Sequence, residues 1–354
     1  MNTQDVFLHR TQPSPQNSSF KLILKFIFNL AQHFITASVL SFFYLMKKLV
    51  HNKWFLLTIL SLTWGSSFIL IKKSLFTFSP YEIGSLRLLI AGILLSFIGI
   101  PTLRKLDRKS IFYIGITGLC GSVIPLFLFP IAQTHISSSL AGVLDSLVPI
   151  FVLLIGFIFY NLKPKISQVF GVILSFFGAT TLIFFNDSNT EDSHLLYAIL
   201  PIIASITYAI STLLIRDKLM HINTIELTAA MFTLWIPPAI ISLMFLGTFT
   251  HHTSNPHFWS SLGYIGVLAV MGTTLAVIIY NKLIQETSAV FASSVSYLLP
   301  VLAVIWGIID GEEFTPWYIF SGILILIGIY LIQEKKEESP LHTKKVKKTK
   351  KSPH

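Results

Sequence analysis

The chain has 354 residues, of which 53% are hydrophobic and only 12% charged, with a mean hydropathy of +0.71. An ordinary globular chain carries roughly 25% charged residues, and half of that cannot cover a soluble protein of this length. The net charge of +10 is no nucleic-acid signature, because it sits at the ends: residues 1–53 hold six Lys/Arg and one acid, and residues 334–354 hold eight Lys and three Glu.

Residues 1–53 read as an N-terminal extension. Lys21, Lys25, Asn29, Gln32, His33 and Thr36 recur at helical spacing opposite Phe26, Ile27, Leu30, Phe34 and Ile35, the pattern of a helix lying in the membrane interface. Two alternatives stand beside it: an eleventh span over 26–46, and a translation start at Met46, from which MKKLVHNKW reads as an ordinary carrier amino terminus.

A bilayer core about 30 Å thick takes about 20 mostly apolar residues per helix. Ten runs meet that length: 54–73, 81–100, 111–131, 138–160, 166–186, 195–215, 225–246, 259–281, 288–309 and 316–333. The expected fold is an all-α polytopic membrane protein with ten transmembrane helices. Lys and Arg concentrate in alternate connectors, with Arg104, Lys105, Arg108 and Lys109 in one and Lys163 and Lys165 in another. The positive-inside rule then puts both termini in the cytoplasm, with Lys72 and Lys73 against the trend and able to snorkel. The tail 334–354, with its run KKVKKTKK, is suited to touch anionic lipid, or is simply a solvated tail that enforces topology. Cys120, the single cysteine, excludes an internal disulfide and a Cys-based metal site.

The chain repeats itself. From the third run onward the offset is 151 residues, matching Tyr113, Gly115, Gly121, Pro149, Gly156 and Gly171 with Tyr264, Gly266, Gly272, Pro300, Gly307 and Gly322. The first two runs repeat at 144, pairing Trp64 with Tyr208, Ser67 with Ser211, Lys72 with Arg216 and Glu82 with Glu226. Residues 54–186 and 187–333 thus form two five-helix repeats. An odd helix count makes them enter the membrane in opposite senses, as in carriers that alternate access about a midplane site.

The runs LTWGSSFILIKKSL, SPYEIGSLRLLIAGILL, SSSLAGVLDSLVPIFVLL and TSAVFASSVSYLLPVLAVIWGIIDGEEF, in that order and spacing, resemble the EamA family of the drug/metabolite transporter superfamily over residues 54–333. The resemblance implies two inverted five-helix bundles that move small metabolites, amino acids or relatives among them, across the cytoplasmic membrane. Asp145 departs from it, since the resemblance implies a neutral polar residue such as Asn there.

A charge inside a span is costly and is a functional candidate by default. Arg87 and Asp145 lie within spans and are either each other's structural partners or substrate and coupling groups. Trp64, Ser67, Tyr208, Ser211, Asn281 and Tyr297 complete the expected substrate-binding set, with Pro149 and Pro300 as helix-breaking positions. No metal ligand set, cofactor or catalytic constellation is expected, and the absence of a Walker A sequence excludes an ATP-driven pump. The leading reading is a secondary carrier, working in efflux, whose partners are a small-molecule substrate and the bilayer and not nucleic acid. A monomer or homodimer is expected. The alternatives are an integral membrane enzyme and a channel.

Overall fold

The computed structural model describes residues 52–136, 138–184, 195–248, 255–309 and 316–332. The expected interfacial helix and the Lys-rich tail lie outside the described residues, which form helices joined by short connectors and contain no strand. In chain order they form α1 (Lys53–Ser74), α2 (Pro80–Lys105), α3 (Arg108–Gly118), a π-helical stretch (Leu119–Val123) and α4 (Ile124–Gln133). Next come α5 (Ser138–Asp145), α6 (Val148–Phe159), α7 (Ile166–Phe184), α8 (Leu195–Lys218), α9 (Thr224–Leu234) and α10 (Ile236–Leu246). Then follow α11 (Phe258–Val267), a second π-helical stretch (Leu268–Leu275), α12 (Ala276–Glu286) and α13 (Ala289–Ser293). A 3₁₀ turn (Ser294–Tyr297), α14 (Leu298–Ile309) and α15 (Pro316–Ile332) complete the order.

Among the described residues seven helical stretches are long and apolar enough to cross a membrane. The other three expected runs correspond to shorter apolar stretches, Ile166–Thr181, Ala289–Leu302 and Ile319–Ile332.

Local chemistry sets the helix starts. At α2 the Ser79 N–H donates to the Glu82 carboxylate at 2.7 Å and the Glu82 N–H to the Ser79 hydroxyl at 3.4 Å. This is a capping box ahead of Pro80, so Glu82 has a structural task. Asp107 caps α3 through the Ser110 N–H at 3.4 Å, and the Ser110 hydroxyl holds this exposed carboxyl below the usual carboxylate range.

Three expected spans are broken, the run 225–246 at Trp235 between α9 and α10. The run 138–160 is divided at Ser146 and Leu147, where the Ser146 hydroxyl folds back onto the Val143 carbonyl at 2.5 Å. The run 288–309 is divided by the 3₁₀ turn at the equivalent place. These two divisions fall just before the expected helix-breaking positions Pro149 and Pro300. Each proline stands in the first turn of the second half-helix, α6 or α14, where N–H groups have no intrahelical partner to lose.

Small residues let helices close on each other. α7 and α15 pack along their length, with the Ser175 hydroxyl donating to the Ile325 carbonyl at 3.2 Å and the Gln168 amide to the Ile332 carbonyl at 3.5 Å. A Cβ on Gly171 would lie 2.5 Å from the Gly328 carbonyl oxygen, so only glycine permits this approach. Phe170, Phe177, Ile323 and Leu326 on the same two helices are exposed, which suits a lipid boundary.

Candidate functional site

Residues from α1, α2, both π-helical stretches, α4, α5, α6, α8, α12, the 3₁₀ turn and α14 line a cavity of about 70 Å³. In the measure where one water takes about 10–15 Å³, it has room for several waters or a small polar group. Its walls are aromatic. Trp64 stacks on Tyr208 with centroids 6.5 Å apart and tilts against Tyr280 at 5.2 Å. Phe129 lies 6.3 Å from Tyr208 and 5.8 Å from Phe68.

The two π-helical stretches fall at repeat-equivalent places and contain Gly121 and Gly272. A π turn interrupts the regular hydrogen-bond ladder and is common at functional sites, and cross-repeat side chains take up carbonyls here. The Trp64 indole N–H donates to the Gly272 carbonyl at 2.9 Å, and the Ser211 hydroxyl donates to the Thr117 carbonyl, just before the first π stretch, at 3.0 Å. A Cβ on Gly272 would come 2.7 Å from the Ser67 hydroxyl, and one on Gly121 would overlap the Ser211 hydroxyl. Ser67 against Gly272 and Ser211 against Gly121 are one contact made twice, in opposite directions between the repeats.

The lining follows the same rule. Ser122 and Thr273, Phe129 and Tyr280, Val148 and Leu299, and Asp145 and Ser296 are mates at the 151-residue offset, and all eight line the cavity.

The charges break this symmetry, since both come from the first repeat. Arg87, 6% exposed, donates from Nε to the Thr273 hydroxyl at 3.1 Å; its mate at the 144-residue offset is Met231. Asp145, 5% exposed, ends α5 with the Ser296 hydroxyl beside its carboxylate. Its Oδ1 has no hydrogen-bond partner among the described residues. Arg87 and Asp145 make no ion pair with each other; the Tyr208 phenol lies within electrostatic reach of both.

Of the sequence candidates, Trp64, Ser67, Arg87, Asp145 and Tyr208 line the cavity. Ser211, Asn281 and Tyr297 do not. Ser211 binds the Thr117 carbonyl, Asn281 donates to the Thr228 hydroxyl at 2.9 Å, and the Tyr297 hydroxyl donates to the Val172 carbonyl at 3.1 Å. Each of these polar groups is satisfied by a neighbouring helix. The sequence candidates omitted Ser122, Phe129, Thr273, Tyr280 and Ser296. The 151-residue offset would have paired them, but periodicity alone does not say which face of a span looks inward.

The model of the EamA-like transporter family matches residues 51–184 and again residues 195–333. The chain is similar to a protein of Archaeoglobus fulgidus named as an uncharacterized transporter, 29% identical over 295 residues, which cover 80% of this chain and 100% of that one. It is also similar to the uncharacterized inner membrane transporter YedA of Escherichia coli, 25% identical over 300 residues covering 80% and 93% of the two chains. A solved crystal structure of a protein, 16% identical, shares the fold with a TM-score of 0.59 over 78% of this chain and 94% of that one.

Proposed function

Because this chain belongs to the EamA-like transporter family, we propose that it is a secondary carrier exchanging small metabolites, amino acids or related compounds, across the cytoplasmic membrane, with net efflux. In this reading ten spans form two inverted five-helix repeats, both termini are cytoplasmic, and the unit is a monomer or homodimer.

The observation that carries the proposal is the cavity built from mate residues of both repeats. A site framed by Trp64 and Gly272 on one side and by Ser211 and Gly121 on the other has two near-equivalent sets of contacts. Rocking one repeat against the other parts one set while the other stays closed, opening the cavity alternately to each side. Buried interhelical bonds in membranes average only about 0.6 kcal/mol, so two such sets can be made and broken on a transport timescale. Trp64, Phe129, Tyr208 and Tyr280 give a substrate apolar wall, while Arg87 and Asp145 supply polar anchors within it.

The test is counterflow in proteoliposomes: internal unlabelled amino acids should accelerate entry of the labelled compound, saturably and without chemical change. A modified product would make the protein an enzyme, and a flux that never saturates would make it a channel.

A further inference from the structure

Two buried oxygens of the cavity lack partners among the described residues: Oδ1 of Asp145 and the hydroxyl of Ser122, the latter 4% exposed. Repeat symmetry explains the second. Its mate Thr273 receives the Nε–H of Arg87, but Met231 stands where a second arginine would serve Ser122, and a thioether carries no proton to donate. The first repeat therefore contributes two unpartnered oxygens to the cavity, whereas the equivalent hydroxyl of the second repeat, Thr273, meets the Arg87 guanidinium.

We propose that Asp145 and Ser122 form a cation subsite that takes the protonated amino group of the transported molecule. The proposal rests on the carrier reading and narrows it to molecules that bear a protonated amine. A protonated primary amine presents three N–H donors on a compact centre, able to meet the Asp145 carboxylate and the Ser122 hydroxyl together. The rings of Trp64, Tyr208 and Tyr280 line the same cavity, and aromatic rings attract a cation placed over their faces. A buried carboxylate is tolerated when it is paired, and the ligand supplies the pairing that no side chain gives to Oδ1. Arg87 repels a lone cation and is free to face an anionic group, which favours molecules carrying both charges.

The test uses thermal stabilisation of the full-length protein in detergent by matched compounds: phenylalanine and 3-phenylpropionate, alanine and propionate, phenethylamine and 2-phenylethanol. At least one amine should stabilise the native protein, and its amine-free mate should bind about tenfold more weakly or worse. Asp145→Asn and Ser122→Ala should each shrink that ratio toward one without lowering the melting temperature of the ligand-free protein. A ratio retained in Asp145→Asn overturns the proposal, as does a large loss of ligand-free stability, which would mark Asp145 as a structural partner. If the amine-free mates bind as well as the amines, the subsite fails while the carrier reading stands. If no amine binds the native protein, the subsite fails as well, and counterflow of amine-free metabolites then decides the carrier reading by itself.

Discussion

Gly171 and Gly322 are repeat mates, yet alanine should have opposite effects at the two. At Gly171 the new methyl would lie 2.5 Å from the Gly328 carbonyl oxygen, 2.9 Å from Ile332 Cγ1 and 3.0 Å from the Ile332 nitrogen. Ordinary contact begins near 3.4 Å, so α7 and α15 must part by roughly 0.9 Å, enough to forfeit a quarter to a half of each van der Waals well along the seam. Overpacking of this kind costs about 1–3 kcal/mol. Parting the helices also weakens the Ser175 and Gln168 bonds to the opposite backbone, each about 0.6 kcal/mol in a membrane setting. Gly171→Ala should therefore cost about 2–4 kcal/mol. At Gly322 a Cβ meets nothing within 4 Å, and Gly322→Ala should be neutral or stabilise by up to about 1 kcal/mol through helix propensity. Thermal unfolding in detergent, followed by tryptophan fluorescence, should separate the two variants by roughly 5–10 °C. Equal melting temperatures would refute the close α7–α15 seam.

Two further outcomes are expected. In a Cys120→Ser background, single cysteines at Asn189 and Ser254 should react with an impermeant thiol reagent added outside intact cells, and those at Ser110 and Ser339 should not; the reverse pattern would invert the topology. A double-mutant cycle on Arg87→Ala and Asp145→Ala should show coupling below about 0.5 kcal/mol, since the two make no ion pair. Coupling of several kcal/mol would reveal a buried pair.

Membrane insertion leaves its mark on sequence because the bilayer demands about 20 apolar residues at a time, and the repeat leaves its mark because both halves solve the same packing problem. The ten apolar runs, the two offsets, and Trp64, Ser67, Arg87, Asp145 and Tyr208 as inward-facing groups were accordingly legible without coordinates. Apolar runs are nevertheless blind to breaks inside them. In SSSLAGVLDSLVPIFVLL only Pro149 signals a break, and the apolar pattern around it does not place the division of α5 from α6 at Ser146 and Leu147. Nor does the sequence show that Asn281 and Tyr297 bond to neighbouring helices, through Thr228 and the Val172 carbonyl, outside the cavity.

What the sequence alone determined is the class, the two-fold internal repetition and the presence of two charges within apolar spans, all consequences of solvent and chain periodicity. Only the tertiary structure decided which of those polar groups are already bonded. Whether a buried oxygen has a partner depends on another helix some 60 to 200 residues away, as with Trp64 and Gly272, Ser205 and Leu144, or Arg87 and Thr273. A hydrogen bond is made or missed over about an ångström, a distance that no spacing along the chain specifies. That is why Tyr297 lies outside the cavity and Ser122 lines it.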